Sequence, residues 1–296
     1  MSFEDYLAVN GIKYQKNAPT DKLCSMRAGG RAAYLVFPSS SEEFIYAISY
    51  ADRLSIKHRV IGRLTNTLFA AEEYEGVLIS TALMKEFGVE GSSVKASAGV
   101  PLPLMIRNLA HSGYELLPEI SGIPGSVGGA VRNNAGAFGR NVSDALMNAE
   151  IYIAAEKRVR ILQGSDLSFG YRCSALADGG AYLLSATFSI KTGHPESISE
   201  KIRTFDGMRR NKQPSSPSLG SFFKNRGDKA SSQMIDECGL KGASVGGARV
   251  SEKHAGFIVN DGGATAGDVV LLSDKIRKRV FQKFGKILEY EAEIIF

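Results

Sequence analysis

Short apolar runs alternate along this chain with stretches in which apolar residues return every three or four positions, the patterns of buried strands and amphipathic helices. Ala33–Phe37 reads as a strand. Ser40 with Glu43 three residues later is a capping-box signature, after which Phe44, Ala47, Ile48, Ala51 and Leu54 share one helical face. His58–Ile61, Gly76–Ser80 and Val94–Ala98 read as short strands, and Leu102–His111 as a helix. Strands are expected again at Ala149–Ala154, Arg158–Leu162 and Tyr182–Lys191. Gly193–Pro195 reads as a linker. A basic helix at Ser197–Asn211 and a proline- and serine-rich loop at Gln213–Gly220 follow. Lys229–Gly239 reads as a helix stopped by Gly239, and Thr265–Asp268 opens a long helix that Gly285 stops. Leu288–Phe296 closes the chain as a strand. The order is mixed α+β, with strands in both halves.

Composition narrows the class. The 296 residues are 44% hydrophobic and 23% charged, an ordinary globular balance. That length suggests two domains at about 100–200 residues each. The apolar stretch Ala181–Ile190 is broken by Ser185, Thr187 and Ser189, so no membrane span is expected. Met1–Asp5 carries no basic segment leading into an apolar one, so no secretory signal is expected. Cys24, Cys173 and Cys238 are too few and too scattered for a disulfide framework or a zinc site. No metal is expected, and a reducing cytoplasm is. The net charge of +5 comes from interleaved signs, which argues against nucleic acid and suits a small anionic ligand. A monomer is favoured. His58, His111, His194 and His254 are scattered and read as surface or packing residues, with His254 the one to test.

Gly122–Gly139 reads GIPGSVGGAVRNNAGAFG, six glycines in eighteen residues against 32 in the whole chain. Such a segment brings bare backbone N–H groups close to a ligand's phosphate oxygens, or else forms a tight loop with no ligand. No G-x-G triplet occurs, so the Rossmann dinucleotide fingerprint is absent. The Gly285-Lys286 pair has Val280 where a Walker A motif needs glycine. There is no H-E-x-x-H.

With Ser121 in front, SGIPGSVGGAVRNNAGAFG resembles, nearly residue for residue, the second flavin-binding stretch of the UDP-N-acetylenolpyruvoylglucosamine reductases. Similar motifs follow in the family's order: AGGRAAYLVFP at 28–38, FGYRCS at 169–174, KQPSSPSLGSFFKN at 212–225, GLKGASVGGARVSEKHAGFIVN at 239–260 and LEYEAEII at 288–295. The resemblance spans almost the whole chain. It implies an α+β fold: a two-part FAD-binding unit of the vanillyl-alcohol-oxidase (PCMH) type over residues 1–192, split near 90, then a smaller α+β substrate-binding domain over 193–296. The short separation of Arg172 from Ser221 resembles the branch without a tyrosine-bearing insertion.

The activity so implied reduces the enolpyruvyl ether of a UDP-sugar to a lactyl ether in peptidoglycan precursor synthesis, with FAD as cofactor and NADPH as reductant. Hydride addition to the vinyl carbon builds enolate-like charge on its neighbour and the carboxylate. The reaction therefore needs a cation at the carboxylate and a placed proton donor. The resemblance assigns these roles to Arg172, whose guanidinium can fork onto a carboxylate, and to Ser221. Alone, Arg172 would read as a strand-end ion-pair residue and Ser221 as a helix cap. Glu291 matches the family's catalytic acid and helps only if protonated or bridged by Arg172. Strand alternation would put Glu289, Glu291 and Glu293 on one face, and the family register selects Glu291.

The cofactor is expected on Gly62, Arg63, Thr65, Asn66 and Leu68, and on Gly122, Ile123, Pro124, Gly125, Ser126, Gly128, Gly129, Asn134 and Gly136. Tyr171, Arg210, Lys224 and Asn225 are expected to contact substrate. NADPH and substrate use one cleft in turn in this family, so no separate nicotinamide domain is implied.

The first flavin stretch departs from the family's Gly-Gly-Gly-Ser-Asn: Ile61–Asn66 reads IGRLTN, and a leucine there is expected to push backbone from the pyrophosphate unless Arg63 adds a phosphate contact. Leu23–Met26 and Arg226 also depart. Arg63 and Leu64 motivate an alternative, a non-catalytic flavin or nucleotide-sugar binding protein retaining the fold. Intact Arg172, Ser221 and Glu291 argue against it, and the C-terminal motifs argue against an oxygen-using flavin oxidase.

Overall fold

The structure, a computed structural model, describes residues 1–225 and 227–296, so Arg226 lies outside it. Its first elements are α1 (Phe3–Val9), β1 (Lys13–Pro19), β2 (Arg31–Phe37), α2 (Ser41–Arg53), β3 (His58–Ile61), β4 (Thr67–Phe69) and β5 (Glu73–Ser80). Then come β6 (Phe87–Glu90), β7 (Ser93–Ser97), α3 (Leu102–His111), β8 (Tyr114–Glu115), α4 (Val127–Arg132), β9 (Gly136–Ala137), β10 (Arg140–Asn141), β11 (Leu146–Ile153), β12 (Arg158–Gln163), β13 (Ala181–Ser189), β14 (Lys191–Thr192) and α5 (Pro195–Lys212). The chain ends with β15 (Ser218–Ser221), α6 (Ser231–Glu237), β16 (Ser244–Val245), β17 (Ala248–Val250), β18 (Phe257–Asn260), α7 (Ala266–Phe284) and β19 (Glu293–Ile295). No helix among the described residues is long and apolar enough to cross a membrane.

These elements form two compact units, and the chain passes between them inside β1, β2 and β5. The first unit comprises Met1–Lys16, Tyr34–Arg63 and Gly76–Met208. A four-stranded sheet runs in the order β1-β2-β5-β3, with β3 parallel to β5. Phe44, Ala47, Ile48 and Ala51 of α2 are fully buried in a core with Phe3, Leu7, Val77 and Ile79. Leu54, expected on that face, is the residue that ends α2 and is 40% exposed. The α2 cap is also displaced from expectation: Ser40 Oγ accepts from Glu43 N at 3.1 Å, but Glu43 reaches one residue further back, to Ser39 N at 2.7 Å.

The five-stranded sheet of this unit is antiparallel, in the order β12-β11-β13-β7-β6. Leu102, Met105, Ile106 and Leu109 of α3, with Val127 and Val131 of α4, are buried in one core with Val94, Ala149, Ile151 and Phe188 of its strands. Ile198 and Ile202 of α5 join the same core, and Arg107 pairs with Asp206 at 2.9 Å. The expected linker at Gly193–Pro195 therefore leads into a helix of the first unit, and the units part between Met208 and Arg209.

The second unit comprises Asn17–Ala33, Leu64–Glu75 and Arg209–Phe296. Its sheet has the order β15-β18-β17-β16, and α6 and α7 bury Met234, Ile235, Val269, Leu272, Ile276 and Val280. Thr265 and Asp268 form the capping box of α7, and Gly285 ends it in the left-handed conformation, as the sequence predicts. The expected closing strand is shorter than predicted. Tyr290 makes an isolated bridge with Phe223, the backbone bends at Glu291 and Ala292, and only Glu293–Ile295 forms strand, parallel to β4. The bend breaks the alternation that would have set Glu289, Glu291 and Glu293 on one face.

Candidate active site

The first glycine turn and the glycine-rich stretch meet within the first unit. A Cβ at Gly62 would stand 2.6 Å from Ser126 Oγ, and one at Gly128 would stand 3.1 Å from the Ala98 carbonyl. Ser126 bridges Pro101, its Oγ accepts from Gly129 N at 3.3 Å, and Gly128 N donates to Ala98 O at 2.8 Å. The backbone N–H groups of Gly62 and Gly125 donate to no other described residue. Bare donors beside a glycine cradle are what the phosphates of an extended cofactor require, so these residues fit the group the resemblance implies. Gly122 ends a turn, and Ile123 and Pro124 lead from it to the bend at Gly125, whose φ is 141°.

Downstream, the Gly136 end of this stretch is stitched to the turn that carries Arg172. Gly170 and Cys173 bridge each other across Tyr171 and Arg172, and Arg172 sits at φ 58°, a left-handed geometry uncommon for a side-chain-bearing residue. Arg172 Nη2 donates to Gly136 O at 3.0 Å, and its guanidinium lies 5.1 Å from the Tyr171 ring centre. Asn134 Nδ2 donates to Gly170 O at 3.1 Å, while its Oδ1 accepts from Ser143 N at 3.2 Å. Ser174 Oγ donates to Arg132 O at 2.8 Å, and Arg132 Nη2 to Ala177 O at 3.1 Å. The arginine turn is thus bonded at several points to the glycine stretch. Sequence reasoning assigned Asn134 to the cofactor and did not foresee this clamp, because each bond is long-range.

In the second unit Ser221 and Glu291 are brought together through backbone. Glu291 N donates to Phe222 O at 2.9 Å, Lys224 N to Glu289 O at 2.9 Å, and Phe222 N to Gly256 O at 2.8 Å. The Phe223 and Tyr290 rings stack at 5.4 Å. Glu291 is half-buried, whereas Glu289 is exposed and faces Lys224 Nζ at 3.9 Å. Asn225 Oδ1 accepts from both Ser231 N and Ser231 Oγ at 2.9 Å, tying the serine loop to the start of α6. Arg210 is exposed, and its carbonyl accepts from Lys253 Nζ.

Asn66, expected at the cofactor, uses its side chain here: Nδ2 donates to Glu291 O at 2.9 Å, and its carbonyl accepts from Glu293 N at 2.8 Å. Leu68 is fully buried in the middle of β4, where it pairs with Ile294 of β19, so neither its side chain nor its paired backbone is offered to a ligand as expected. Thr65 is half-buried and Arg63 exposed. Leu64 sits at φ 46° with its side chain 4% exposed and its carbonyl accepting from Ser25 N at 3.0 Å. The leucine that replaces a small residue is turned into protein rather than toward solvent.

His254 is half-buried, its ring edge-on to Phe257, and its Nδ1 accepts from Gly256 N at 3.1 Å. Burial holds its ionisation below the ordinary imidazole value.

A mixed α+β fold with a glycine cradle in its first unit is the build of the FAD-dependent oxidoreductases of the vanillyl-alcohol-oxidase type. The family model described as an FAD binding domain matches residues 32–161. Physcomitrella patens BBE-like 1 shares the fold, with a TM-score of 0.50 at 18% identity over 65% of this chain and 45% of that one.

The C-terminal domain of UDP-N-acetylenolpyruvoylglucosamine reductase matches residues 212–295. The reductase of that name from Caldicellulosiruptor bescii is 38% identical over 100% of this chain and 95% of its own, and that from Petrotoga mobilis is 36% identical over 97% and 96%. The crystal structure of the Thermus caldophilus enzyme (MurB) matches with a TM-score of 0.82 at 30% identity, covering 96% of this chain and 99% of that one. The chain belongs to the UDP-N-acetylenolpyruvoylglucosamine reductase family, an FAD-dependent oxidoreductase family.

Proposed function

We propose that this chain reduces UDP-N-acetylenolpyruvoylglucosamine to UDP-N-acetylmuramate with NADPH, in the cytoplasm, as a monomer. FAD would be held by backbone of Gly62, Thr65 and Gly122–Gly129, with Arg63 at the phosphates and Asn134 and Gly136 shaping the far end. When bound, it supplies the two-electron relay between nicotinamide and enol ether.

The chain's own residues do the remaining work. Arg172 forks onto the enolpyruvyl carboxylate and stabilises charge that grows there in the transition state. Ser221 Oγ gives its proton to the carbon next to that carboxylate. A hydroxyl is a weak acid, so the alkoxide it leaves would need stabilising neighbours and a proton returned from solvent; the bonds of Phe222 to Gly256 and Glu291 hold the donor's segment in place. Glu291 helps polarise the carboxylate, in its protonated form or bridged to it by Arg172. Lys224, Asn225 and Arg210 contact the diphosphate and sugar, and Tyr171 lines the pocket.

The observation that carries this reading is the Glu291–Phe222 backbone bond, which fixes the proposed acid beside the proposed proton donor in a chain whose full length aligns with reductases. The purified protein should show a flavin spectrum that NADPH bleaches and the enolpyruvyl substrate restores. In Ser221→Ala the bleaching should persist while restoration slows about 10³-fold, the scale of losing a placed proton donor. A flavin that stays oxidised under NADPH defeats the reading. The non-catalytic alternative rested on Arg63 and Leu64; the inward-facing Leu64 lends it less support, and the bleaching test separates the two readings.

A further inference from the structure

One carboxylate outside the proposed machinery has an unmet bonding demand. Oε2 of Glu119 is buried without a hydrogen-bond partner among the described residues. Glu119 lies in a single 3₁₀ turn, Pro118–Ile120, entered through Leu117 in the left-handed conformation at φ 40°. Its flanks are fixed: Pro118 and Ile120 are buried, and Ile123 N donates to Ile120 O at 3.0 Å, leading directly into the glycine stretch. The same turn packs against β9 and β10, at the other end of that stretch. Glu119 therefore stands between the two ends of the glycine stretch, all within the first unit. A neighbouring carboxylate shows the contrast, since Asp206 receives Arg107 Nη2 at 2.9 Å on one oxygen and Ser121 Oγ at 3.5 Å on the other.

A buried acceptor without a donor is costly, and folded proteins retain one where a ligand completes it. FAD carries hydroxyl and N–H donors along its length. We propose that Glu119 is a cofactor-holding residue whose Oε2 accepts a hydrogen bond from one of these donors.

The test compares Glu119→Met, of similar length but without an acceptor, with Glu119→Gln, which keeps one. FAD titration of the apoproteins, without NADPH or enol ether, is read beside their thermal melts. Glu119→Met should melt at or above the parent, because an unmet polar atom has gone, while its FAD dissociation constant rises tenfold or more. Glu119→Gln should recover most of that affinity. Unchanged FAD binding in Glu119→Met overturns the proposal. So does a lowered apoprotein melt in Glu119→Met, or a Glu119→Gln no better than Glu119→Met, either of which would mark a structural role. Because no turnover is measured, failure of the proposed reaction leaves this result readable.

Discussion

Only Tyr290 separates Glu289 from Glu291, yet their surroundings differ sharply: one faces Lys224 from solvent, the other is half-buried with its carbonyl and N–H fixed by Asn66 and Phe222. Glu291→Gln should lower turnover about 10³-fold while Glu289→Gln changes it less than about threefold, read as kcat on the enolpyruvyl substrate. A reversed pattern moves the acid to Glu289. His254 gives a pH prediction. Its folded-state ionisation lies below the ordinary value, so the neutral ring stabilises the native protein fully above about pH 6.5, and that contribution fades as pH falls through that range. Urea unfolding at about pH 7.5 and 5.5 should show the parent losing more stability on acidification than His254→Asn, whose Oδ1 can still accept from Gly256 N–H. At this scale sequence motifs singled out Arg172, Ser221 and Glu291 as candidates. They did not reveal that Asn66 braces Glu291 across 225 positions, since no local pattern encodes such a bond.

Elements with their own start and stop chemistry were the legible ones. Ser40 opens α2, and Thr265, Asp268 and Gly285 delimit α7 nearly to the residue. Elements that depend on distant partners were not. The helix α4 contains Gly128 and Gly129, poor helix formers, and stands because Val127 and Val131 are fully buried. Strands β15 to β18 are short and interrupted by turns, and β19 bends away from alternation because Glu291 and Ala292 both approach Phe222 O. Glycine also acts here by closeness: a Cβ at Gly30 would stand 2.1 Å from Ala71 O and 2.3 Å from Glu72 O, both backbone atoms that cannot swing aside. Gly30→Ala should cost about 2 kcal/mol or more, whereas Gly88→Ala, with nothing within 4 Å, should be neutral or slightly stabilising. Denaturant midpoints of the two variants check both signs.

The whole molecule is threaded rather than concatenated. Two families of motif in sequence order suggested two consecutive domains, but the second unit takes Asn17–Ala33 and Leu64–Glu75 from the N-terminal third as well as Arg209–Phe296. A linear reading misses this because β4 pairs in parallel with β19, a contact that leaves no trace in spacing. A fragment of residues 209–296 should consequently fail to fold, lacking β4 and the Asn66 brace. Circular dichroism without a cooperative melt is the expected outcome, and a native-like melt would show the N-terminal segments to be dispensable.

The pairing of β19 with β4 also orders events in time. Chains leave the ribosome N-terminus first, and most domains fold as each emerges. Here Leu64–Glu75 emerges early, yet its strand β4 finds its partner only in Glu293–Ile295, more than two hundred positions later. The second unit therefore stays incomplete until that distant segment has been made and has left the ribosome.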